Sequence, residues 1–365
     1  MSRTPIRVLV DGRALSDDNR YRGIGVYLRS LLPELAKIPD LTVSALVTDE
    51  ADASPGIRPV VMARRAPGRF RRIEHSLLLP FDIRRARPDV FHSPALQPPS
   101  RCDVPWVQTL HHVIPPTVYH PEFAKDRRFW LRWAARIRSA SGWIGVSDRV
   151  AYEGARVLGL DRGRMMVALH GADPAFRPPA VRTTPDPPYI LYVSEFDPRK
   201  GYKEAFEVIS TLAARGLPHR LKVAGRIAPW IEAELNSVLQ SSGHPERVDL
   251  LGYVPHASLP SVYQSAAAVL MTNRDEGFGL PAIEAMACGI PLVGFANDAL
   301  VEVVGSGGEL VEDGDVDSIG DLLERILGDA HLWRHMSELG LRRAADFSWQ
   351  RSAEVHAEMF RLVAQ

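Results

Sequence analysis

The chain has 365 residues, 45% of them hydrophobic, which is enough for two buried cores and excludes a disordered or fibrous protein. Its 44 basic and 44 acidic residues balance, so the whole molecule has no bulk attraction for nucleic acid. Cys102 and Cys288 are too few for a disulfide scaffold and have no metal-ligand spacing; a reducing cytoplasm is the expected location. Ile6 to Val10 is shorter than a signal-peptide core, and no run reaches the roughly 18 apolar residues of a spanning helix. Arginine outnumbers lysine 39 to 5, so arginine by itself is a poor sign of a phosphate site, and each lysine is the rarer choice.

In chain order, short β-rich runs occur at Arg7 to Val10, Thr42 to Val47, Val60 to Ala63, Asp89 to His92, Trp106 to Leu110, Trp143 to Val146 and Val167 to His170. A second series follows at Tyr189 to Val193, Leu221 to Ala224, Val248 to Leu251, Ala268 to Met271, Pro291 to Phe295 and Glu309 to Val311. Their spacing leaves room for helices between them, the pattern of parallel, doubly wound sheets. Between the two series, Arg177 to Pro188 carries five prolines in twelve residues and can be neither a helix interior nor a central strand. The expected plan is an N-terminal domain over 1–178, a linker over 179–188, a second domain over 189–348 and a docking helix over 349–365. Ligands of such sheets sit beyond the carboxyl ends of the strands, here in a cleft between the two domains.

Two helices need no chemical reading. Lys203 to Ala214 places Phe206, Ile209 and Ala213 on one core-facing stripe. The last segment starts at Ser348, a good N-cap, and carries Val355, Met359 and Val363 on a stripe that could pack against either domain.

The chemistry is concentrated after the strand Ala268 to Met271. Pro281 suits a first helical position, Gly289 the residue past the end, and Pro291 prevents continuation, which marks a short helix from Pro281 to Cys288. Gly277-Phe-Gly279 lets the backbone come close to a ligand. The amides of Phe278, Gly279 and Leu280, with the positive end of the helix dipole, make an anion site suited to a phosphate. Glu276 lies before this turn and Glu284 is expected in the first helical turn; together they could accept hydrogen bonds from sugar or ribose diols. Taken singly, Glu284 reads as a solvated charge complementing the dipole. The combination points to a sugar nucleotide.

Glu276-Gly-Phe-Gly-Leu-Pro-Ala-Ile-Glu284-Ala-Met-Ala-Cys-Gly resembles the two-glutamate signature of the family 4 retaining glycosyltransferases, whose GT-B fold has two Rossmann-like domains facing across a cleft. Asp197-Pro-Arg-Lys-Gly201, Gly252-Tyr-Val254, Arg22-Gly-Ile-Gly-Val-Tyr27, His170-Gly-Ala-Asp173 and Phe347-Ser-Trp349 are also similar to family segments, so the likeness runs along nearly the whole chain. The resemblance implies that Glu284 holds the donor ribose, while Glu276 with the amides of Phe278, Gly279 and Leu280 holds the donor sugar and its phosphate. Arg199 and Lys200 would neutralise the diphosphate without a metal. Gly23 and Gly25, expected in a loop after the first strand, would approach the diphosphate, and the backbone around Val254 would contact the base. His111 would touch the transferred sugar near the reacting centre; His112 stands where similar members have Asp, and Glu195 has no assigned role.

These expectations describe a metal-independent, retaining hexosyltransferase. Its donor is a GDP-, UDP- or dTDP-linked sugar and its acceptor a hydroxyl of a glycan, a glycolipid or a small natural product. The competing readings are a sugar-nucleotide epimerase or hydrolase and a non-catalytic sugar-binding protein. Asp313-Gly-Asp315-Val-Asp317 with Glu324 has acidic positions of a calcium loop, but Ser318 stands where glycine is required, so it reads as a turn and helix cap. From Val61 to Arg138 the net charge is +9. Arg128, Arg132 and Arg136 alternate there with Trp130, Trp133 and Ile137. This stripe could lie on an anionic membrane surface, or its apolar residues could simply pack inward.

Overall fold

The computed structural model describes residues 4–62, 77–94, 98–113, 134–196, 198–227 and 230–365. The chain forms two compact units, one of Met1–His170 with Ser348–Gln365 and the other of Gly171–Phe347.

In the first unit, β1 (Ile6–Asp11), β2 (Leu41–Val47), β3 (Arg58–Val61), β4 (Val90–Ser93), β5 (Trp106–Leu110), β6 (Gly142–Gly145) and β7 (Met165–Val167) form one parallel sheet in the order β3-β2-β1-β4-β5-β6-β7. Strand order reverses between β1 and β4. The central strands β4, β5 and β6 are buried along their whole length, as expected when helices cover both faces. The last strand begins at Met165, earlier than the Val167 to His170 expected from hydropathy. Trp143 pairs with Met165 and Gly145 with Val167, which leaves His170 beyond the strand end. The third strand likewise sits over Arg58–Val61, fixed by the register Ser44 to Arg58 and Val47 to Val61.

Two helices matter for the site in this unit. Helix α1 (Gly23–Ala36) follows β1 and buries Tyr27, Leu28, Leu31, Leu32 and Leu35. The C-terminal helix, α2 (Trp349–Val363), is capped by the Ser348 hydroxyl, which accepts from the Arg351 amide at 3.1 Å. It belongs to this first unit and packs on α1 and the sheet so closely that a Cβ on Gly142 would stand 2.4 Å from Met359 Sδ. Arg361 adds an ion pair to Asp40 at 2.7 Å. Ile137, one residue of the expected amphipathic stripe, is fully buried in the core; Arg128, Trp130, Arg132 and Trp133 lie outside the described residues.

The second unit is a parallel sheet of β8 (Tyr189–Val193), β9 (Arg220–Ala224), β10 (Val248–Gly252), β11 (Ala268–Met271), β12 (Leu292–Phe295) and β13 (Glu309–Val311), in the order β10-β9-β8-β11-β12-β13. Here the order reverses between β8 and β11, so the loops after those two strands meet at the topological switch point, where open α/β sheets bind ligands. Helix α3 (Tyr202–Ala214) follows β8 and packs Phe206 and Ile209 into a core that contains Tyr192, Val223, Leu270 and Phe295. Helix α4 (Leu259–Gln264) precedes β11, and α5 (Leu280–Ala287) follows it. Asp315 caps α6 (Val316–Gly328) by accepting from the Ser318 amide at 3.0 Å, the helix-cap role expected of that acidic run.

The proline-rich stretch is fastened to the second unit. Gln264 donates to the Arg177 carbonyl at 2.8 Å, Arg182 donates to the Ala266 carbonyl at 2.5 Å, and its guanidinium lies 4.2 Å from the Trp333 ring centre.

Candidate active site

Two hydrogen bonds to backbone carbonyls hold the loops after β8 and β11 together: the Arg274 amide donates to the Arg199 carbonyl at 3.0 Å, and the Thr272 hydroxyl to the Gly201 carbonyl at 2.7 Å. Gly201 has φ +70°, and a Cβ there would stand 2.0 Å from the Thr272 carbonyl oxygen, so glycine is a condition of this approach. Tyr192, buried on β8, donates to the Lys200 carbonyl at 2.6 Å and fixes the turn from inside the core.

On these loops the structure brings together three of the expected polar groups, Lys200, Glu276 and Arg199, and three that were not anticipated, Asp275, Asn273 and Asn297. Lys200 Nζ lies 2.6 Å from Glu276 Oε1, and Arg199 Nη1 lies 3.4 Å from Asp275 Oδ2. Asn273 donates its side-chain amide to the same Glu276 oxygen, while Asn297 donates to the Asn273 carbonyl at 2.8 Å. The two cations therefore rest on carboxylates in this structure. Asp275 and Asn273 escaped sequence reasoning because acidic and amide residues are ordinary in a polar loop.

The helix that begins here is α5. Its N-cap is Gly279 at φ +90°, where a Cβ would meet Leu300 Cδ2 at 2.8 Å, and Pro281 occupies the first turn as expected. Among the described residues no acceptor meets the amides of Gly279 and Leu280. Phe278 is buried beside them, edge-on to Phe347 at 6.1 Å. An anion at this turn would meet two unspent N–H donors and the dipole together.

Glu284 differs from expectation. It lies past the first turn, which carries no acidic residue, and it is only 6% exposed, so it is no solvated charge complementing the dipole. Tyr263, on α4, donates to Glu284 Oε2 at 2.9 Å. Burial pushes the Glu284 carboxyl up to about 7, against the Tyr263 hydrogen bond and with a further push from the Asp173 charge. Asp173 in turn pairs with His256 at 3.2 Å, and Phe176 lies edge-on to Tyr263 at 5.5 Å. Val254 sits half-buried in the loop between β10 and α4, two residues before His256. Tyr263 was missed because nothing in its local sequence separates a core tyrosine from one that orients a carboxylate.

In the first unit, Gly23 and Gly25 form the first turn of α1 and not a loop. A Cβ on Gly25 would lie 2.5 Å from the Arg20 carbonyl oxygen, so the helix starts tight against the preceding turn; no described residue crowds Gly23. His111 follows β5 and is half-buried, edge-on to the Tyr27 ring at 4.7 Å and 5.9 Å from His170. Burial holds its imidazole down to about 3, helped by the charges of His112 and His356 and opposed by a backbone hydrogen bond at Pro94. Proline has no N–H, so that bond is ring N–H to carbonyl. Among the described residues Nε2 is buried without a partner, and the neutral ring therefore keeps an unshared acceptor there.

A model of Glycosyltransferase Family 4 matches residues 21–176, and a model of Glycosyl transferases group 1 matches residues 177–343. The chain belongs to the family 4 glycosyltransferases. O-antigen chain mannosyltransferase B of Escherichia coli is 31% identical over 164 residues, which is 44% of this chain and 42% of that protein. The MMP alpha-(1->4)-mannosyltransferase of Mycolicibacterium hassiacum is 31% identical over 259 residues, 64% of this chain and 61% of that protein. The chain thus matches less than two thirds of the length of either relative. Among solved structures, sucrose-phosphate synthase of Thermosynechococcus elongatus superposes with a TM-score of 0.78 at 22% identity over 99% of both chains. Anabaena HepE, solved with UDP and glucose, gives 0.74 at 17% identity over 98% of this chain and 100% of that one. At these identities the likeness establishes the fold, which is GT-B. Among the described residues no helix is long and apolar enough to cross a membrane.

Proposed function

We propose that this glycosyltransferase moves a hexose, with retention of configuration, from a nucleoside diphosphate sugar to a hydroxyl of a glycan or glycolipid. The observation that carries the reading is the Lys200–Glu276 pair at 2.6 Å on the loop that leads into α5, with Glu276 three residues before Gly279, whose amide and that of Leu280 meet no acceptor among the described residues. The diphosphate would sit on the amides of Gly279 and Leu280, with Arg199 and Lys200 opposing the charge that grows as the anomeric C–O bond breaks. Glu276, released from Lys200 by the incoming phosphate, would accept from the sugar hydroxyls. Glu284 would accept from the ribose diol, and the backbone at Val254 would meet the base.

In this mechanism the acceptor oxygen bonds to the anomeric carbon on the face that the diphosphate leaves, and a departing phosphate oxygen takes the acceptor proton. The products are the glycoside and the nucleoside diphosphate. His111 Nε2, neutral and without a partner among the described residues, would accept a hydrogen bond from a hydroxyl of the transferred sugar. No metal is needed, because the cations and the helix terminus supply the counter-charge. The two mannosyltransferase relatives favour a mannosyl donor, and the O-antigen chain enzyme favours an acceptor in polysaccharide assembly; the net charge of +9 over residues 61–138 favours an anionic membrane surface as a partner for the first unit.

The test is a thermal-shift panel of GDP-mannose, UDP-glucose, UDP-N-acetylglucosamine and dTDP-glucose, followed by product analysis of the best binder with sugar acceptors. Binding at about 100 times Kd stabilises by about 2.7 kcal/mol, a clear rise in Tm. No shift with any nucleotide sugar overturns the reading; an epimerised sugar, or release of free sugar unaffected by acceptor, replaces it with the epimerase or hydrolase alternative.

A further inference from the structure

Beneath His111 the first unit contains a chain of hydrogen bonds that the proposed reaction does not use. His356, fully buried in the middle of α2, has both ring nitrogens engaged: Nδ1 lies 2.7 Å from the Ser352 carbonyl and Nε2 lies 2.7 Å from the Tyr27 hydroxyl. A carbonyl only accepts, so Nδ1 carries the proton, and in the neutral ring Nε2 accepts from Tyr27. Burial keeps His356 neutral, down to about 4. The Tyr27 oxygen then accepts from Thr109 at 3.2 Å, and Thr109 accepts from His92 Nε2 at 2.8 Å. Every donor in the run points the same way, from His92 on β4 through β5 and α1 to the C-terminal helix.

The run ends against His111. Tyr27 is fully buried, and its ring meets the His111 ring at 4.7 Å and 88°, while Thr109, on β5, stands two residues before His111, which follows the strand. His170, stacked on Trp349 at 4.9 Å, closes another side at 5.9 Å from His111. The backbone bond at Pro94 selects the His111 tautomer but leaves the ring one axis of rocking. Tyr27 forms a wall of that ring's space, and the tilt of Tyr27 is set by His356 and Thr109.

We propose that Tyr27 and His356 are positioning residues that hold the His111 Nε2 lone pair on the transferred sugar. This rests on the sugar-contact reading of His111 given above. A well-aligned contact near the reacting centre is sensitive to displacements of an ångström or less, so loosening the wall should lower turnover without weakening donor binding. A purely structural tie between α2 and the sheet would instead lower stability alone.

The experiment combines kinetics with ring-nitrogen NMR on the full chain, well below the melting temperature of each variant. The donor is whichever member of the nucleotide-sugar panel releases nucleoside diphosphate fastest. Tyr27→Phe, which keeps the ring, is expected to lower kcat on the order of tenfold with donor KM unchanged. His356→Leu should do the same, and His356→Gln, whose amide can both accept from Tyr27 and donate to Ser352, should recover most of the loss. In a His111→Ala background Tyr27→Phe should cost under about twofold further, because the two act through one contact. Independently of turnover, the wild-type His111 ring should show one Nδ1–H tautomer, and Tyr27→Phe should broaden or shift its Nε2 signal.

Equal kcat losses in both backgrounds, an effect on KM alone, or an unmoved His111 signal in Tyr27→Phe overturns the proposal. If His111→Ala keeps full kcat, the sugar-contact reading fails instead, and the NMR signal still decides whether Tyr27 and His356 hold the ring. Should His356→Leu not fold, Tyr27→Phe alone carries every arm.

Discussion

Tyr263 donates its hydroxyl to Glu284 Oε2 at 2.9 Å with both side chains buried, and burial holds the carboxyl far above its ordinary range, at about 7. The folded-state value lies above the ordinary 4.5, so the folded chain binds this proton more tightly than the unfolded one. The resulting stabilisation is fully present below about 4.5 and is lost as pH rises through about 7. We expect Glu284→Gln to flatten this part of the stability curve and to be the more stable protein at pH 8, by on the order of 3 kcal/mol. Chemical denaturation of both proteins between pH 5 and 8 checks it. The buried histidines act in the opposite sense but are common to both chains, and parallel curves would refute the assignment.

Donor affinity should run against stability. A ribose diol donates, so it prefers the ionised carboxylate, and the affinity for the preferred nucleotide sugar should rise between pH 6 and 8 in the wild type. Tyr263→Phe should raise donor Kd by about tenfold, through the loss of one orienting hydrogen bond to a charged group. Calorimetry measures both; a pH-independent Kd would remove Glu284 from the ribose.

Lys200 rests on Glu276 at 2.6 Å with both side chains largely covered. If the ammonium opposes leaving-group charge, Lys200→Met should lower kcat by about 10² to 10³, the size seen when one transition-state donor is removed. Its effect on folding should be near 1 kcal/mol, because the pair keeps some contact with water. Turnover and Tm of the same preparation separate the two effects.

The strand pattern was legible because buried parallel strands are nearly continuous apolar runs, and α5 because Pro281, Gly289 and Pro291 punctuate it. Both Glu276 and Lys200 could be found from their positions at strand ends, but their contact could not: it joins residues 76 apart. Tyr27 and His356 are 329 residues apart, and no local spacing carries such a pairing. Gly23 and Gly25 misled because glycine suggests a loop, whereas the close approach of the Arg20 backbone places Gly25 inside a helix. Glu284 misled for a related reason: helix position says nothing about which face is covered.

Gly201 supplies a test of the loop junction. Gly201→Ala places a methyl 2.0 Å from the Thr272 carbonyl oxygen at a φ that side chains avoid. Separating the two loops should cost more than about 2 kcal/mol and weaken nucleotide-sugar binding as well. A variant with unchanged Tm and donor affinity would show that the loops need no such proximity.

Vesicle co-sedimentation tests the membrane partner. Acidic-lipid vesicles should retain the chain at low salt and release it as salt rises, with neutral vesicles retaining little. Equal recovery from both kinds of vesicle would remove the membrane surface from the proposal.

Because α2 belongs to the unit that residues 1–170 begin, the second unit is in effect an insertion into the first. During synthesis the N-terminal half must wait, its sheet missing the cover of Met359 and Phe360, until the final helix leaves the ribosome. Cutting away those eighteen residues would therefore injure the domain farthest from the cut in sequence and spare the one next to it.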